Sequence, residues 1–211
     1  MEGHRPNPVY RAAWYLARFL LHLLFGYRVE GAEQVPKEGP VILAANHLSI
    51  LDPIAIGAGI RRPVSFLARA DVFRLPFLSW LLPRLYAIPV ERGQSDLSAI
   101  KGAIRALEKG MAFGIFPEGT RSRTGKLQAF KTGVAAIALR TGSPVVPVAV
   151  VGSDQAWPVG RKLFRLRKPI RVIYGQPIPV PKLAKFTHQE LEILTQEIEA
   201  RVRELLPPGY R

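Results

Sequence analysis

The sequence predicts an α/β fold, with a single domain built on a mostly parallel, mixed sheet flanked by helices. Short apolar runs suited to strands alternate along the chain with segments whose apolar residues recur at helical spacing. No internal repeat, low-complexity tract or interdomain linker breaks this alternation. A chain of 211 residues is also long enough to bury about 70% of its unfolded surface in one core.

Six strands are predicted, each from an apolar run. They cover residues 41–45, 64–68, 87–90, 111–116, 145–151 and 170–174. Helical spacing predicts helices at residues 97–107 and 132–140. A last helix is expected to begin at Thr187, where Glu190 completes a capping box, and to end before Pro207. Its predicted buried face comprises Leu191, Leu194, Ile198, Val202 and Leu205.

Residues 9–25 predict an amphipathic helix at the N-terminus. One face carries Arg11, Tyr15, Arg18 and His22, and the other carries Leu16, Phe19, Leu20, Leu23 and Leu24. The stretch is shorter than the ~20 residues that span a membrane. We therefore predict an interfacial, membrane-docking helix that lies among lipid headgroups and favours acidic lipids. The alternative is a soluble amphipathic helix packed on its own domain.

A second apolar stretch, residues 72–83, carries aromatic residues between Pro76 and Pro83. The prolines predict short helical turns rather than one long helix. We expect the aromatic and leucine side chains to be buried in the core, where such side chains usually lie. The alternative is that they contact lipid.

Charge and composition narrow the possible partners. The 30 lysine and arginine residues, against 16 aspartate and glutamate residues, give a net charge of +14 that favours phosphorylated substrates, acidic lipid surfaces or nucleic acid. The sequence has no zinc-finger, basic-zipper or RNA-binding signature, so no nucleic acid partner is expected. It has no cysteine either, which excludes disulfides, zinc-thiolate sites and a cysteine acyl intermediate. No metal site is predicted.

Two polar clusters follow predicted strands. The strand 41–45 is followed by His47 and then by Asp52. The strand 111–116 breaks at a proline into a loop, residues 117–122, that carries charges of both signs. The C-terminal ends of parallel strands line one edge of a sheet, so the two clusters can meet across one cleft.

His47 is the predicted general base, because a neutral imidazole is available at physiological pH. Asp52 would fix its tautomer. The two side chains would diverge on a helix, but Pro53 disfavours helical geometry at Asp52, so a turn can join them. The alternative is that the histidine caps a strand and the aspartate caps a helix. Ser49 is rejected as a nucleophile because no G-x-S-x-G elbow presents it.

The loop 117–122 is suited to an anion. Its predicted phosphate-binding groups are backbone N–H groups, hydroxyls and a guanidinium, from Gly119, Thr120, Arg121 and Ser122. Glu118 is expected to orient Arg121. Arg69 and Arg92 follow two further strands and would add cations to the same pocket. The alternative is that each arginine is a solvated surface residue.

Both clusters also match known motifs. Residues 46–52, Asn-His-Leu-Ser-Ile-Leu-Asp, fit N-H-x4-D, and residues 116–122, Phe-Pro-Glu-Gly-Thr-Arg-Ser, fit F-P-E-G-T-R-S. The chain thereby resembles the bacterial 1-acyl-glycerol-3-phosphate acyltransferase family, from about residue 28 to residue 175. The resemblance includes a Phe-Lys-Thr-Gly segment at residues 130–133. It implies an acyltransferase catalytic domain at residues 28–211, after an interfacial helical segment at residues 1–27.

The resemblance also implies roles for the site residues. His47 would be the general base and Asp52 its partner, whereas Arg92 and the loop from Glu118 to Arg121 would bind the acceptor phosphate. Asn46, Arg69 and Ser122 are further predicted substrate-binding residues. Acyl-CoA or acyl carrier protein would deliver the acyl group as a co-substrate, and no cofactor is expected.

We therefore expect a peripheral enzyme on the cytoplasmic face of the cell membrane. It would move a fatty acyl group to the free hydroxyl of lysophosphatidic acid and so make phosphatidic acid for phospholipid biosynthesis. The acceptor could instead be another lysophospholipid, an amino lipid, glycerol 3-phosphate or a carotenoid glycoside. A non-enzymatic alternative is a basic protein whose cluster at residues 161–168 binds acidic lipid or nucleic acid.

Overall fold

The computed structural model describes residues 6–91 and 96–211. The strands are β1 (Arg28–Glu30), β2 (Val41–Ala45), β3 (Val64–Arg69), β4 (Ile88–Val90), β5 (Ala112–Ile115), β6 (Val145–Val151) and β7 (Arg171–Tyr174). The helices are α1 (Pro8–Phe25), α2 (Asp52–Gly59), α3 (Pro76–Arg84), α4 (Asp96–Glu108), α5 (Gly133–Thr141), α6 (Ser153–Ala156) and α7 (His188–Leu205). Short 3₁₀ helices lie at Ala32–Gln34, Ala70–Arg74 and Pro208–Tyr210.

The strands form one seven-stranded sheet in the order β1-β7-β6-β2-β5-β3-β4. Neighbouring strands are parallel, except that β6 and β7 are antiparallel. The predicted α/β fold with a mostly parallel, mixed sheet is therefore confirmed. β2 lies at the centre, and every residue of Val41–Ala45 is fully buried, as is typical of a parallel strand covered on both faces.

Most elements lie where the sequence predicts them. Each predicted strand is present, with ends that differ by at most one residue. The final helix has Thr187 as its N-cap and Glu190 completing the capping box, as predicted. β1 is an additional edge strand, and its exposed Arg28 and Glu30 explain why no apolar run reveals it.

Helices cover both faces of the sheet. On one face, α1 and α2 belong to the core that contains Val41 and Leu43 of β2, and on the other face α4, α5 and α7 belong to the core that contains Ile42 and Ala44. The predicted core face of α7 is confirmed. Its buried members are Leu194, Ile198 and Val202, with Leu191 and Leu205 partly buried against them.

Two buried tyrosines fix α2 on the sheet. The hydroxyl of Tyr27 donates to the carbonyl of Ala55 (2.5 Å), and that of Tyr174 donates to the carbonyl of Ile56 (2.6 Å). Burial raises the pKa of both phenols, so both stay protonated as donors. Gly59 leaves the room that Tyr174 needs, because a Cβ there would lie 2.3 Å from the phenol oxygen. These contacts position the first turn of α2, which carries Asp52.

The N-terminal helix α1 packs on the domain and also exposes an apolar face. The Trp14 indole N–H donates to the carbonyl of Ile60 (2.7 Å), and the Arg18 guanidinium donates to that of Ala58 (3.0 Å). Arg18 is thus half-buried where α1 packs on the domain, whereas the sequence pattern places it on the polar face of the helix. Tyr15 is exposed beside the apolar residues Leu16, Phe19, Leu20 and Leu23, which are also exposed.

None of the helices within residues 6–91 and 96–211 is long and apolar enough to cross a membrane. The division of the chain between residues 27 and 28 stays a prediction.

The predicted burial of the second apolar stretch is wrong. Helix α3 has no buried residue, and Leu75, Phe77 and Trp80 are 54%, 67% and 47% exposed. The helix packs on the 3₁₀ helix Ala70–Arg74, next to β3 and β4 at the edge of the sheet. This edge offers too little surface to bury a second face. The prediction of short helical pieces is confirmed, because the 3₁₀ helix ends at Arg74, Leu75 is extended, and α3 begins at Pro76 with Pro83 in its last turn.

Candidate active site

The two polar clusters meet at the C-terminal edge of β2 and β5, which are neighbouring parallel strands. The main-chain N–H of His47 donates to Oε1 of Glu118 (2.8 Å). The carbonyl of His47 accepts from the N–H of Ser122 (2.7 Å). The loop 117–122 therefore holds the main chain of His47 from both sides.

Asp52 fixes both the imidazole and the loop before α2. Its Oδ2 lies 2.8 Å from Nδ1 of His47 and also accepts from the N–H groups of Leu48 (2.6 Å) and Ser49 (2.8 Å). The side chain is fully buried at the first residue of α2. Pro53 follows within the first helical turn, where its missing N–H costs no hydrogen bond. The predicted pairing is therefore present, whereas the alternative role as a helix cap is not, because the carboxylate accepts from the loop before α2 and makes no capping bond to the helix.

The His47 ring is partly exposed and is fixed at one of its two nitrogens. Its side chain is 18% exposed and stacks on Phe116, with ring centroids 3.9 Å apart and an interplanar angle of 16°. In the neutral form Nδ1–H donates to Asp52, so Nε2 carries the lone pair. Among the described residues, no hydrogen bond engages Nε2. The ring is therefore arranged to accept a proton at this atom.

Glu118 supports His47 rather than Arg121. The carboxylate is 4% exposed, and its Oε2 accepts from Nε2 of Gln128 (2.8 Å) while Oε1 accepts from His47. Burial raises the pKa of Glu118, and these hydrogen bonds partly offset the rise. The expected orienting contact with Arg121 is replaced by these two contacts. Sequence reasoning missed Gln128, because a single glutamine gives no pattern.

A glycine turn shapes the anion-binding loop. Gly119 has a positive φ of 74°, and its N–H donates to the carbonyl of Phe116 (3.0 Å). A Cβ at this glycine would lie 3.0 Å from Nζ of Lys131, so the lysine side chain passes over the loop. The N–H of Lys131 also donates to the carbonyl of Pro117 (3.0 Å). Lys131 is a second cation at this site, and in the sequence it stands out only as part of the Phe-Lys-Thr-Gly segment at residues 130–133.

The other predicted phosphate-binding residues differ in exposure. Thr120 and Arg121 are exposed at the loop surface. Ser122 is buried, and its hydroxyl lies 3.3 Å from that of Thr124. Their contact with substrate stays a prediction.

The two predicted strand-end arginines are placed differently. Arg69 ends β3 and is bound to the neighbouring Asp71 carboxylate, with Nε donating to Oδ1 (2.9 Å). A phosphate would therefore compete with this carboxylate for the guanidinium. Arg92 lies outside the described residues.

Asn46 continues the pairing between β2 and β6 beyond the end of β2. Its Nδ2 donates to the carbonyl of Val150 (2.9 Å), and its Oδ1 accepts from the N–H of the same residue (2.7 Å). The side chain is 1% exposed. Because both ends of the amide are used within the protein, this geometry favours an indirect role, and the predicted substrate contact stays a prediction.

Ser49 is turned away from nucleophilic chemistry. Its hydroxyl donates to the carbonyl of Trp157 (2.8 Å) and is fully buried. The site therefore combines one basic imidazole with a glycine turn and nearby cations. Such a site can remove a proton from a hydroxyl while it holds an anionic group of the same molecule.

The chain is similar to a protein family and to proteins with named activities. The model of the family described as Acyltransferase matches residues 26–151. A relative named 1-acyl-sn-glycerol-3-phosphate acyltransferase, from Bacillus subtilis, is 30% identical over 190 residues, which is 89% of this chain and 92% of the relative. A relative named lyso-ornithine lipid O-acyltransferase, from Pseudomonas aeruginosa, is 35% identical over 79% of this chain and 69% of the relative.

A solved structure is also similar. The crystal structure of the 1-acyl-sn-glycerophosphate acyltransferase PlsC from Thermotoga maritima has a TM-score of 0.77 and 29% sequence identity, over 93% of this chain and 79% of that chain. The chain spans only 46% and 44% of the length of two chloroplast 1-acyl-sn-glycerol-3-phosphate acyltransferases, from Arabidopsis thaliana and Brassica napus.

Proposed function

Because the chain belongs to the Acyltransferase family, whose model covers residues 26–151, we propose that it acylates the free hydroxyl of 1-acyl-glycerol-3-phosphate. The product would be phosphatidic acid, and the donor a thioester of coenzyme A or of acyl carrier protein. The names of the Bacillus subtilis relative and of the Thermotoga maritima structure support this acceptor. The observation that carries the proposal is the His47–Asp52 pair beside the loop 117–122.

In the proposed reaction His47 is the general base. Nε2 takes the proton of the acceptor hydroxyl as its oxygen attacks the thioester carbon. The tetrahedral intermediate then breaks its C–S bond, and the departing thiolate takes the proton from the imidazolium. Asp52 holds the ring and stabilises its positive charge. Proton transfer by a positioned side chain usually contributes about 10²- to 10⁴-fold to the rate.

The loop 117–122 is the proposed site for the acceptor phosphate. Arg121 is exposed at its surface, and the Lys131 side chain passes over Gly119. A guanidinium can bind two phosphate oxygens at once, whereas an ammonium adds a compact charge. Arg69 and Arg92 stay predicted contributors. Binding the phosphate here would place the neighbouring glycerol hydroxyl near His47, since the loop and the histidine are bonded through the main chain.

We also propose that the protein works as a peripheral enzyme at the cytoplasmic face of the membrane, in phospholipid biosynthesis. The support is the face of α1 that bears Leu16, Phe19 and Leu23, all about three-fifths exposed or more (59%, 62% and 65%). An exposed apolar face of this size on a docked helix is typical of a segment that lies in the headgroup layer.

A lyso-ornithine lipid is the second candidate acceptor. The relative with that named activity is 35% identical to this chain, compared with 30% for the Bacillus subtilis 1-acyl-sn-glycerol-3-phosphate acyltransferase. An amino lipid of this kind has no phosphate for Arg121 and Lys131 to bind. The two acceptors therefore make different demands on the same loop.

An acceptor panel tests the proposed function. Purified protein would be given radiolabelled acyl-CoA or acyl carrier protein thioester with lysophosphatidic acid, lyso-ornithine lipid, lysophosphatidylcholine or glycerol 3-phosphate. We expect lysophosphatidic acid to give the highest kcat/KM. A higher value for lyso-ornithine lipid would replace the proposed acceptor, and no transfer to any acceptor would reject the enzyme assignment.

A further inference from the structure

Residues 161–168 form a loop, here called the basic loop, that the proposed acyl transfer does not use. Its sequence, Arg-Lys-Leu-Phe-Arg-Leu-Arg-Lys, has five cations, three apolar residues and no acidic residue. All of these residues are exposed, and Leu163 and Leu166 are 78% and 57% exposed. Apolar side chains mixed with cations at a surface are typical of segments that bind an acidic membrane.

The basic loop is fixed to the C-terminal end of α1. The N–H of Arg167 donates to the carbonyl of Leu24 (2.8 Å), and the ring of Phe164 lies edge-on to that of Phe25 at 5.7 Å. Arg167 has a φ of 56°, which a residue other than glycine adopts only where its surroundings hold it. These contacts therefore fix the main chain of the loop next to the end of α1.

The exposed apolar residues of the basic loop extend those of α1. Leu24 of α1 bonds to the loop, and Leu23, the residue before it, is 65% exposed. Phe19, one helical turn before Leu23, is 62% exposed. One apolar surface therefore runs along α1 into the loop. Two separated chain segments that share such a surface indicate a flat, extended partner.

The basic loop carries several cations close together. Within residues 6–91 and 96–211, none of the loop's arginine or lysine side chains forms an ion pair. Like charges this close together repel one another, so the surface is complementary to a polyanion.

The basic loop is also linked to the candidate active site through Trp157. The Trp157 indole N–H donates to the carbonyl of Arg161 (2.9 Å), and the Trp157 carbonyl accepts from the hydroxyl of Ser49 (2.8 Å). Ser49 in turn donates its N–H to Asp52 (2.8 Å). A membrane bound at the loop would therefore lie at a fixed position relative to the catalytic pair.

We propose that the basic loop is a second membrane contact, in addition to α1 and next to it, that binds the headgroups of acidic phospholipids through its cations and inserts Leu163 and Leu166 among the acyl chains. This proposal rests on the membrane association proposed above. An acidic carrier protein could bind the cations, but the exposed leucines and their continuity with α1 favour a bilayer.

Vesicle flotation tests this contact. The full-length protein would be mixed with vesicles of phosphatidylcholine alone or with added phosphatidylglycerol. The charge variant is Arg161→Gln with Lys162→Gln and Arg165→Gln. We expect it to bind acidic vesicles on the order of a hundredfold more weakly, since each cation near an acidic surface contributes about fivefold. The apolar variant, Leu163→Ser with Leu166→Ser, is expected to bind both kinds of vesicle more weakly.

The matched control is Lys101→Gln with Arg105→Gln and Lys109→Gln. It removes the same charge from exposed positions at α4, on the opposite face of the sheet, and should keep wild-type vesicle binding. Thermal unfolding would show that every variant is folded. Equal binding of the charge variant and the control would overturn the proposal. The proposal would also be overturned if the charge variant kept wild-type vesicle binding and its KM rose for the acyl carrier protein thioester but not for acyl-CoA, because the loop would then bind the carrier protein. Vesicle binding does not depend on catalysis. If the acceptor panel showed no acyl transfer, the outcome of the flotation test would therefore be unaffected.

Discussion

His47 is held in one orientation before any substrate binds. Asp52 fixes Nδ1, Phe116 stacks on the ring and the loop 117–122 bonds to both main-chain polar groups. A base that is already oriented needs little reorganisation when the proton moves. The individual residues thus supply a preorganised base whose second nitrogen is left for the substrate.

Arg121 is the residue whose loss should separate acceptor binding from chemistry. We expect Arg121→Ala to lower kcat/KM for lysophosphatidic acid roughly 10- to 100-fold, mainly through KM, because a charge-assisted hydrogen bond is lost. The KM for the thioester should not change. Steady-state kinetics with each substrate varied in turn would measure both.

Arg123→Ala is the control for this prediction, since Arg123 is equally charged and exposed two residues further on. If Arg121→Ala kept the acceptor KM and kcat/KM of the control, the phosphate assignment would be wrong.

At the residue scale, sequence patterns identify groups that lie next to a strand end in the chain. His47 and Asp52 are found in this way, and the structure pairs them at 2.8 Å. Gln128 and Lys131 are missed because only tertiary packing brings them to the loop 117–122. The motif also includes Asn46, but its bonds to Val150 become apparent only once the order of the strands is known.

At the scale of elements, the end of β2 is joined to β6 by the Asn46 side chain. Asn46→Ala would leave the buried N–H and carbonyl of Val150 without partners, at a cost of about 1–3 kcal/mol for each group. We expect a lower free energy of unfolding and a lower kcat, because His47 follows directly. Chemical denaturation and turnover with lysophosphatidic acid would measure the two effects.

Thr187→Ala provides the comparison for Asn46→Ala. It removes the N-cap of α7, which accepts from the N–H of Glu190 (3.2 Å), and should cost about 1 kcal/mol without changing kcat. Equal kcat values for the two variants would show that Asn46 stabilises the sheet without positioning the histidine.

The elements predicted well are those with a strong local pattern. Apolar runs reveal the buried strands, and spacing reveals α4 and α7. The sequence pattern does not reveal α2, because Gly57 and Gly59 weaken helical propensity and tertiary contacts from Tyr27 and Tyr174 compensate. Burial of α3 was wrongly predicted because hydrophobicity alone does not say whether a second layer is present to cover it.

At the scale of the whole molecule, the parallel sheet gathers the chemistry at one edge. β2 and β5 are adjacent and parallel, so residues 71 positions apart in sequence form one hydrogen bond between His47 and Glu118. The exposed face of α1 and the basic loop adjoin each other and connect to the same site through Trp157. A net charge of +14 suits a phosphorylated lipid in an acidic bilayer.

The central claim is that His47 removes the proton from the acceptor hydroxyl, and the turnover of His47→Ala tests it most directly. Acyl transfer to lysophosphatidic acid would be measured beside His188→Ala, whose imidazole is 77% exposed on α7. We predict that kcat falls about 10²- to 10⁴-fold for His47→Ala and stays at the wild-type value for His188→Ala, with unfolding temperature and vesicle binding preserved in both. A folded His47→Ala protein that retained wild-type turnover would contradict the account.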